Sequence, residues 1–251
     1  TSERGGLSNG GAVFVDSTRN THNYDASVTF NVSKDMAYTG NKVTGVSNKY
    51  SDTYGNIATT SGGFLYMDRG TTVNFNIDEG ATLTIGKEGE NDDNTDSIAS
   101  SIKKDGQTYS ENAIYKKGKG TLTVNGQMKD YHGDLNVKEG TMNINQSLAG
   151  DANISVSDGA TLNLKKVELS SQSGTLSVVD TDGRTTTVPL PEKNGSLVAQ
   201  TGSKVTAKTI TLKNKSSMKV DTGATVTADS VAVKDDATLS TAAHSKLNVE
   251  K

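Results

Sequence analysis

The chain of 251 residues contains no cysteine, only two prolines and only three histidines. Without cysteine there is neither a disulfide framework nor a cysteine-ligated zinc site. No apolar run approaches the roughly 18 to 20 residues that carry a helix across a bilayer. The opening TSERGGLSNGG has no signal-peptide core. Charge of one sign is also missing, since the formal net charge is -3 and the pI about 5.7. That balance lacks both the high net charge of a disordered chain and the basic footprint of a nucleic-acid binder. Hydrophobic residues make up only 32%, so composition alone does not decide whether the chain folds, and pattern must. Capped amphipathic stretches of helical length are absent, because 26 glycines and many β-branched residues recur every few positions. The sequence reads as nearly all β.

What is there is a repeat. GSKVTAKTITLKNKSSMKVDT (202–222) lies over GATVTADSVAVKDDATLSTAA (223–243) and then over HSKLNVEK (244–251), at an offset of 21 residues (223 - 202) without gaps. Val205 falls on Val226 and Leu247, Ala207 on Ala228 and Val249, Ile210 on Val231, Leu212 on Val233 and Met218 on Leu239. Extended upstream, the same offset places Leu197 on Met218 and Leu176 on Leu197. Within one unit the apolar residues form three pairs spaced two apart: Val205 with Ala207, Ile210 with Leu212, Met218 with Val220. A period of two puts each pair on one face of a strand. Three short strands and three corners per unit fit stacked triangular coils. The expected fold is an all-β, right-handed parallel β-helix, a solenoid with three short strands per coil of about 21 residues. A lone coil buries too little apolar surface to offset the ordering of its backbone, so the units must stack.

Looser copies run towards the N-terminus, at 159–179, 140–156 and 120–137. In the first of these, Leu176 with Val178 reads as the third strand of the coil. Residues 180–194 hold both prolines, which cannot donate to a ladder and imply an irregular, bulging coil. A second duplication sets GGAVFVD (10–16) and ASVTFNV (26–32) against GGFLYMD (62–68) and TTVNFNI (71–77), with Phe30 equivalent to Phe75. The chain is expected to form a single β-helical domain over 1–251, with 33–61 and 86–112 projecting as loops. Some ten coils at about 4.8 Å would make a rod of roughly 50 Å.

The stretch AIYKKGKGTLTVNGQMKDYHGDLNVKEGTMNIN (113–145) resembles the passenger-associated transport repeat of Gram-negative autotransporters. The matching residues are Lys117, Gly118, Gly120, Thr121, Leu122, Thr123, Val124, Gly126, Gly133, Leu135, Val137, Gly140 and Thr141. The likeness covers about 33 residues, with weaker echoes in GATLTIG (80–86) and GATLNL (159–164). It implies a passenger domain of type V secretion, carried to the surface of a Gram-negative bacterium, in the outer membrane or secreted. An outer-membrane translocator barrel is then expected in the full-length protein. The missing cysteines suit passage through the periplasm unfolded.

The search for chemistry finds no catalytic set. His244 takes a corner held elsewhere by Gly202 and Gly223, His132 lies in a connection and His22 in a polar loop; none has a partner at metal-site spacing. GLSNG (6–10) matches G-x-S-x-G around Ser8, but a strand rather than a helix follows, so Ser8 reads as a turn residue. The G-D-S-G motif of a passenger serine protease is missing, with only GDANIS (150–155) and SDGA (157–160) nearby. The acids of ENDDNTD (90–96) lack the glycine and terminal glutamate of an EF-hand. Lysines 204, 208, 213, 215 and 219 are answered in the next coil by Asp229, Asp235 and Asp236, which reads as a mixed solvated face. The expectation is a non-enzymatic virulence-type adhesin with no cofactor and with no catalytic, cofactor or metal residue assigned. It would act in cell adhesion, biofilm formation or self-association. The partner would be a host glycan, a matrix protein or another cell's copy, not a nucleic acid. The alternative is the non-catalytic stalk of a larger secreted autotransporter protease or glycan-active enzyme.

Overall fold

The computed structural model describes residues 11–16, 26–43, 50–51, 57–58, 62–68, 70–101, 111–148, 150–179 and 185–250. Among them there is no helix. The chain winds as a parallel β-helix whose rungs stack in register along three walls.

Wall A begins with Val13–Asp16, Leu65–Asp68 and Ile98–Ser100, paired in parallel. Wall B is an eight-stranded parallel sheet running from Ser27–Val32 through Thr72–Ile77, Ala113–Lys117, Asp134–Val137, Asn153–Val156, Ser196–Ala199 and Ser217–Val220 to Thr238–Thr241. Wall C, also of eight strands, runs from Met36–Tyr38 to Lys246–Val249. In the later rungs one strand makes two walls. Lys204–Ala207 pairs with Thr225–Ala228 on wall C, and Thr209–Leu212 pairs with Ser230–Val233 on wall A; Lys208 and Asp229 are skipped at the bend. Wall A is continued between its two halves by backbone bonds, Ile98 N–H to Gln127 O (2.9 Å) and Met128 N–H to Ser147 O (3.1 Å).

Register confirms the columns that alternation predicts. Val205 pairs with Val226 and Ala207 with Ala228, Val226 then pairs with Leu247, and Leu197 pairs with Met218. Phe30 pairs with Phe75 and Phe14 with Tyr66, as the N-terminal duplication requires. Wall B strands read half-buried, buried, half-buried, buried, because alternate side chains point into a core without room for water. Phe30, Phe64, Phe75 and Tyr38 form its aromatic end, with Phe30 stacked on Phe75 at 5.0 Å and Tyr38 tilted on Phe64 at 5.1 Å. At the other end the core thins, and Val233 and Val249 are 45% and 42% exposed.

Glycines of the 113–145 stretch stand where neighbouring rungs touch. A Cβ on Gly118, whose φ is +72°, would lie 2.3 Å from Ile77 O, and one on Gly126 would lie 1.9 Å from Asp96 O. No side chain fits at either place.

Three expectations are corrected. Leu176 does not stack on Leu197, whose neighbour on wall B is Ile154. Ser171–Val179 instead pairs antiparallel with Thr185–Asn194, Leu176 opposite Val188, so this segment is a hairpin outside the walls rather than a bulging coil. A two-stranded ribbon is all edge, which is why Pro189 is tolerated within it. Second, the segments expected to project whole do not. Within 33–61, Met36–Tyr38 is a strand of wall C, and within 86–112, Ile98–Ser100 is a fully buried strand of wall A. Third, among the described residues walls B and C each have eight rungs rather than ten. The difference is chain spent off the walls. Paired positions are 21 apart at 113 and 134, but 43 apart at 153 and 196, where the hairpin intervenes.

Candidate functional site

Among the described residues, the histidines singled out for chemistry are occupied with structure. His244 has a φ of +60°, the left-handed conformation of Gly202 and Gly223 at the equivalent corners. His132 Nδ1 shares a 2.8 Å hydrogen bond with Asp151 Oδ1, its backbone N–H donates to Ser100 Oγ at 2.9 Å, and its carbonyl accepts from Lys193 Nζ. Burial pushes the Asp151 carboxyl up, but the His132 bond, the His132 charge and Lys193 together outweigh it and leave it below the usual range. This pair resembles the acid–base half of a triad, yet among the described residues no hydrogen bond reaches His132 Nε2, and Ser100 Oγ accepts from the His132 backbone. Its role is to tie the crossing from wall A to wall B. His22 and Ser8 lie outside the described residues.

The acids at 90–96 stitch a loop. Asp92 accepts from Lys42 Nζ (2.6 Å), Asn94 N–H (2.9 Å) and Thr95 Oγ1 (3.0 Å); the hydrogen bond from Lys42 is the main reason its carboxyl falls to about 2. Asp93 pairs with Lys129, and buried Asp96 accepts from the backbone of Gly40 and Asn41. Among the described residues no group of three acids or histidines could hold a metal ion.

That stitched loop forms one end of a concavity that was not visible in the sequence. Gln146, only 8% exposed, donates from Nε2 to Glu90 O at 2.6 Å and so holds the loop against the bend between walls C and A. Beyond it a groove of about 650 Å³ follows the bend along the rod. Lys165, Lys208 and Asp229 succeed one another along it, one per rung, because each is the residue skipped where its strand turns the corner. Glu88 stands at the opposite end from Asp229, and Leu164 and Ala207 form the apolar floor. Asn163 is fixed by a 2.8 Å bond from its Nδ2 to Asn143 Oδ1, and Asn143 in turn donates to Thr123 Oγ1 at 3.1 Å. These outward ladders set the polar side chains at the spacing of the strands.

Several lysines around the groove and on the mixed face are committed to ion pairs. Lys213 and Lys166 both pair with Glu168, whose carboxyl is lowered chiefly by the Lys213 hydrogen bond, and Lys219 pairs with Asp221 at 2.9 Å. Among the described residues Lys165 and Lys208 have no ion pair.

Walls, ladders and groove define a parallel β-helix with a polar surface and a corner groove. The chain matches no family model, no curated protein and no solved structure.

Proposed function

We propose that this chain is the passenger β-helix of an autotransporter, displayed at the surface of a Gram-negative bacterium, where it acts in adhesion or self-association. The observation that carries the reading is the 113–145 stretch with its transport-repeat likeness, set in a rigid stack whose outward side chains are tied into ladders and whose corner is grooved. Such a surface is pre-ordered for contact, so little freedom remains to be lost when a partner docks. The polar threonines and asparagines suit a hydroxylated or protein partner better than an apolar one. The surface binds and does not catalyse.

The test is display of the full chain on cells that otherwise neither settle nor adhere. Attachment to glycan- or matrix-coated surfaces, or faster cell-to-cell settling, is the expected outcome. Neither effect, with the chain shown to be on the surface, would remove the adhesin reading and favour the non-catalytic stalk of a larger secreted enzyme.

A further inference from the structure

The groove at the bend of walls C and A carries a more specific inference. Two cations, Lys165 and Lys208, occupy successive rungs about 4.8 Å apart. Like charges so placed repel unless an anion lies between them. Asp229, one rung beyond Lys208, makes no ion pair with it among the described residues, and Glu168 is already shared by Lys166 and Lys213. The groove therefore keeps two uncommitted ammonium groups beside a wall that is held in place before any ligand arrives.

We propose that this groove binds an acidic saccharide, with sugar carboxylates held by Lys165 and Lys208. Its volume, about 650 Å³, falls in the range of small-ligand sites. Its lining matches a sugar's hydroxyls. Gln146 and Asn163 have committed their Nδ2 or Nε2 groups to Glu90 O and Asn143 Oδ1, leaving their amide oxygens as fixed acceptors. Glu88 and Asp229 add carboxylate acceptors at the two ends. No aromatic ring lines it, so there is no platform on which a nucleobase would stack. The groove runs along the rod, so an extended chain of sugars meets Lys165 and Lys208 on two successive rungs. None of this depends on where the protein resides, and its failure would leave the surface-adhesin reading standing.

The experiment is calorimetric titration of the purified full chain with oligogalacturonate and sialyllactose, with a neutral galacto-oligosaccharide of matched length, and with inorganic phosphate. At least one acidic sugar is expected to bind about tenfold tighter than the neutral one, as charge-assisted hydrogen bonds allow, and more weakly at high salt. The double variant Lys165→Gln/Lys208→Gln, both positions facing outward, should keep its circular dichroism and lose that preference. Lys119→Gln, whose partner is Glu79 on another corner, should leave binding unchanged. Equal binding of acidic and neutral sugars, binding that survives the double variant, phosphate binding as tight as the acid sugars, or no binding of either acid would each overturn the proposal.

Discussion

Lys116 stands in an inward column of wall B, between Phe75 on one rung and Val137 on the next. It is fully buried. A cation there survives because its Nζ donates to three carbonyls of neighbouring turns, Gly118 O at 2.6 Å, Glu139 O at 3.0 Å and Lys117 O at 3.1 Å. It does for the turns what a bound cation would do, pinning two successive corners. Lys116→Met keeps the length and removes the donors, so unfolding in urea is expected to show a loss of about 1–3 kcal/mol. Burial lowers the ammonium from 10.5 to about 8, with Glu139 pulling it back up. Between those values the unfolded chain holds a proton that the folded chain has released. The penalty of the buried charge is therefore present below about pH 8 and relieved as the pH climbs towards 10.5, and stability from this residue rises over that window. The gap between wild type and Lys116→Met should widen from pH 7 to pH 10; a gap that narrows would contradict the shift. In the sequence Lys116 is invisible as a core residue, since KK in a strand reads as solvent-facing.

At the scale of elements, the hairpin of Ser171–Val179 and Thr185–Asn194 leaves and rejoins the walls at one point. Gly195 N–H donates to Ser170 O at 3.0 Å, and Ser170 N–H to Gly150 O at 2.8 Å. Asn153 and Ser196 are paired 43 residues apart, and removing the 24 residues 171–194 leaves 19, the separation already found between Asp134 and Asn153. Replacing 171–194 with a two-glycine turn should thus keep the β-sheet circular dichroism and a cooperative melt. The contacts of Lys193 with His132 O and Glu111 are lost with it, which sets a modest fall in melting temperature. Loss of the sheet signal would mean that the hairpin is part of the coil. The hairpin also marks where the sequence stops being readable. Leu176 and Val178 alternate as a coil strand does, and alternation says which face a residue takes but not which strand lies beside it. Columns were legible where consecutive coils follow without insertion, as from Val205 to Val226 to Leu247. The groove was not legible at all, because Glu88, Gln146, Lys165, Lys208 and Asp229 come from separate coils and meet only when those coils stack.

Across the whole molecule, protection is uneven. Leu122, Val124, Met142, Ile144 and Leu162 are fully buried at mid-stack, whereas Thr238–Thr241 and Lys246–Val249 are largely exposed. A stack held only by neighbour-to-neighbour contacts frays from its thinnest rung. Amide exchange should accordingly be slowest at 121–124, 141–144 and 161–164 and fastest at 238–249. Uniform protection would mean that the rod opens as one unit.

All three walls share a consequence. Because every strand of the three walls lies across the rod, their backbone bonds point along it, and a pull on its two ends loads the rung interfaces in series, so the weakest gives first. Stretched, the molecule gives way by peeling single coils, a release freeing about a score of residues where coils follow directly and about forty where chain is spent off the walls, while the coils behind it stay wound.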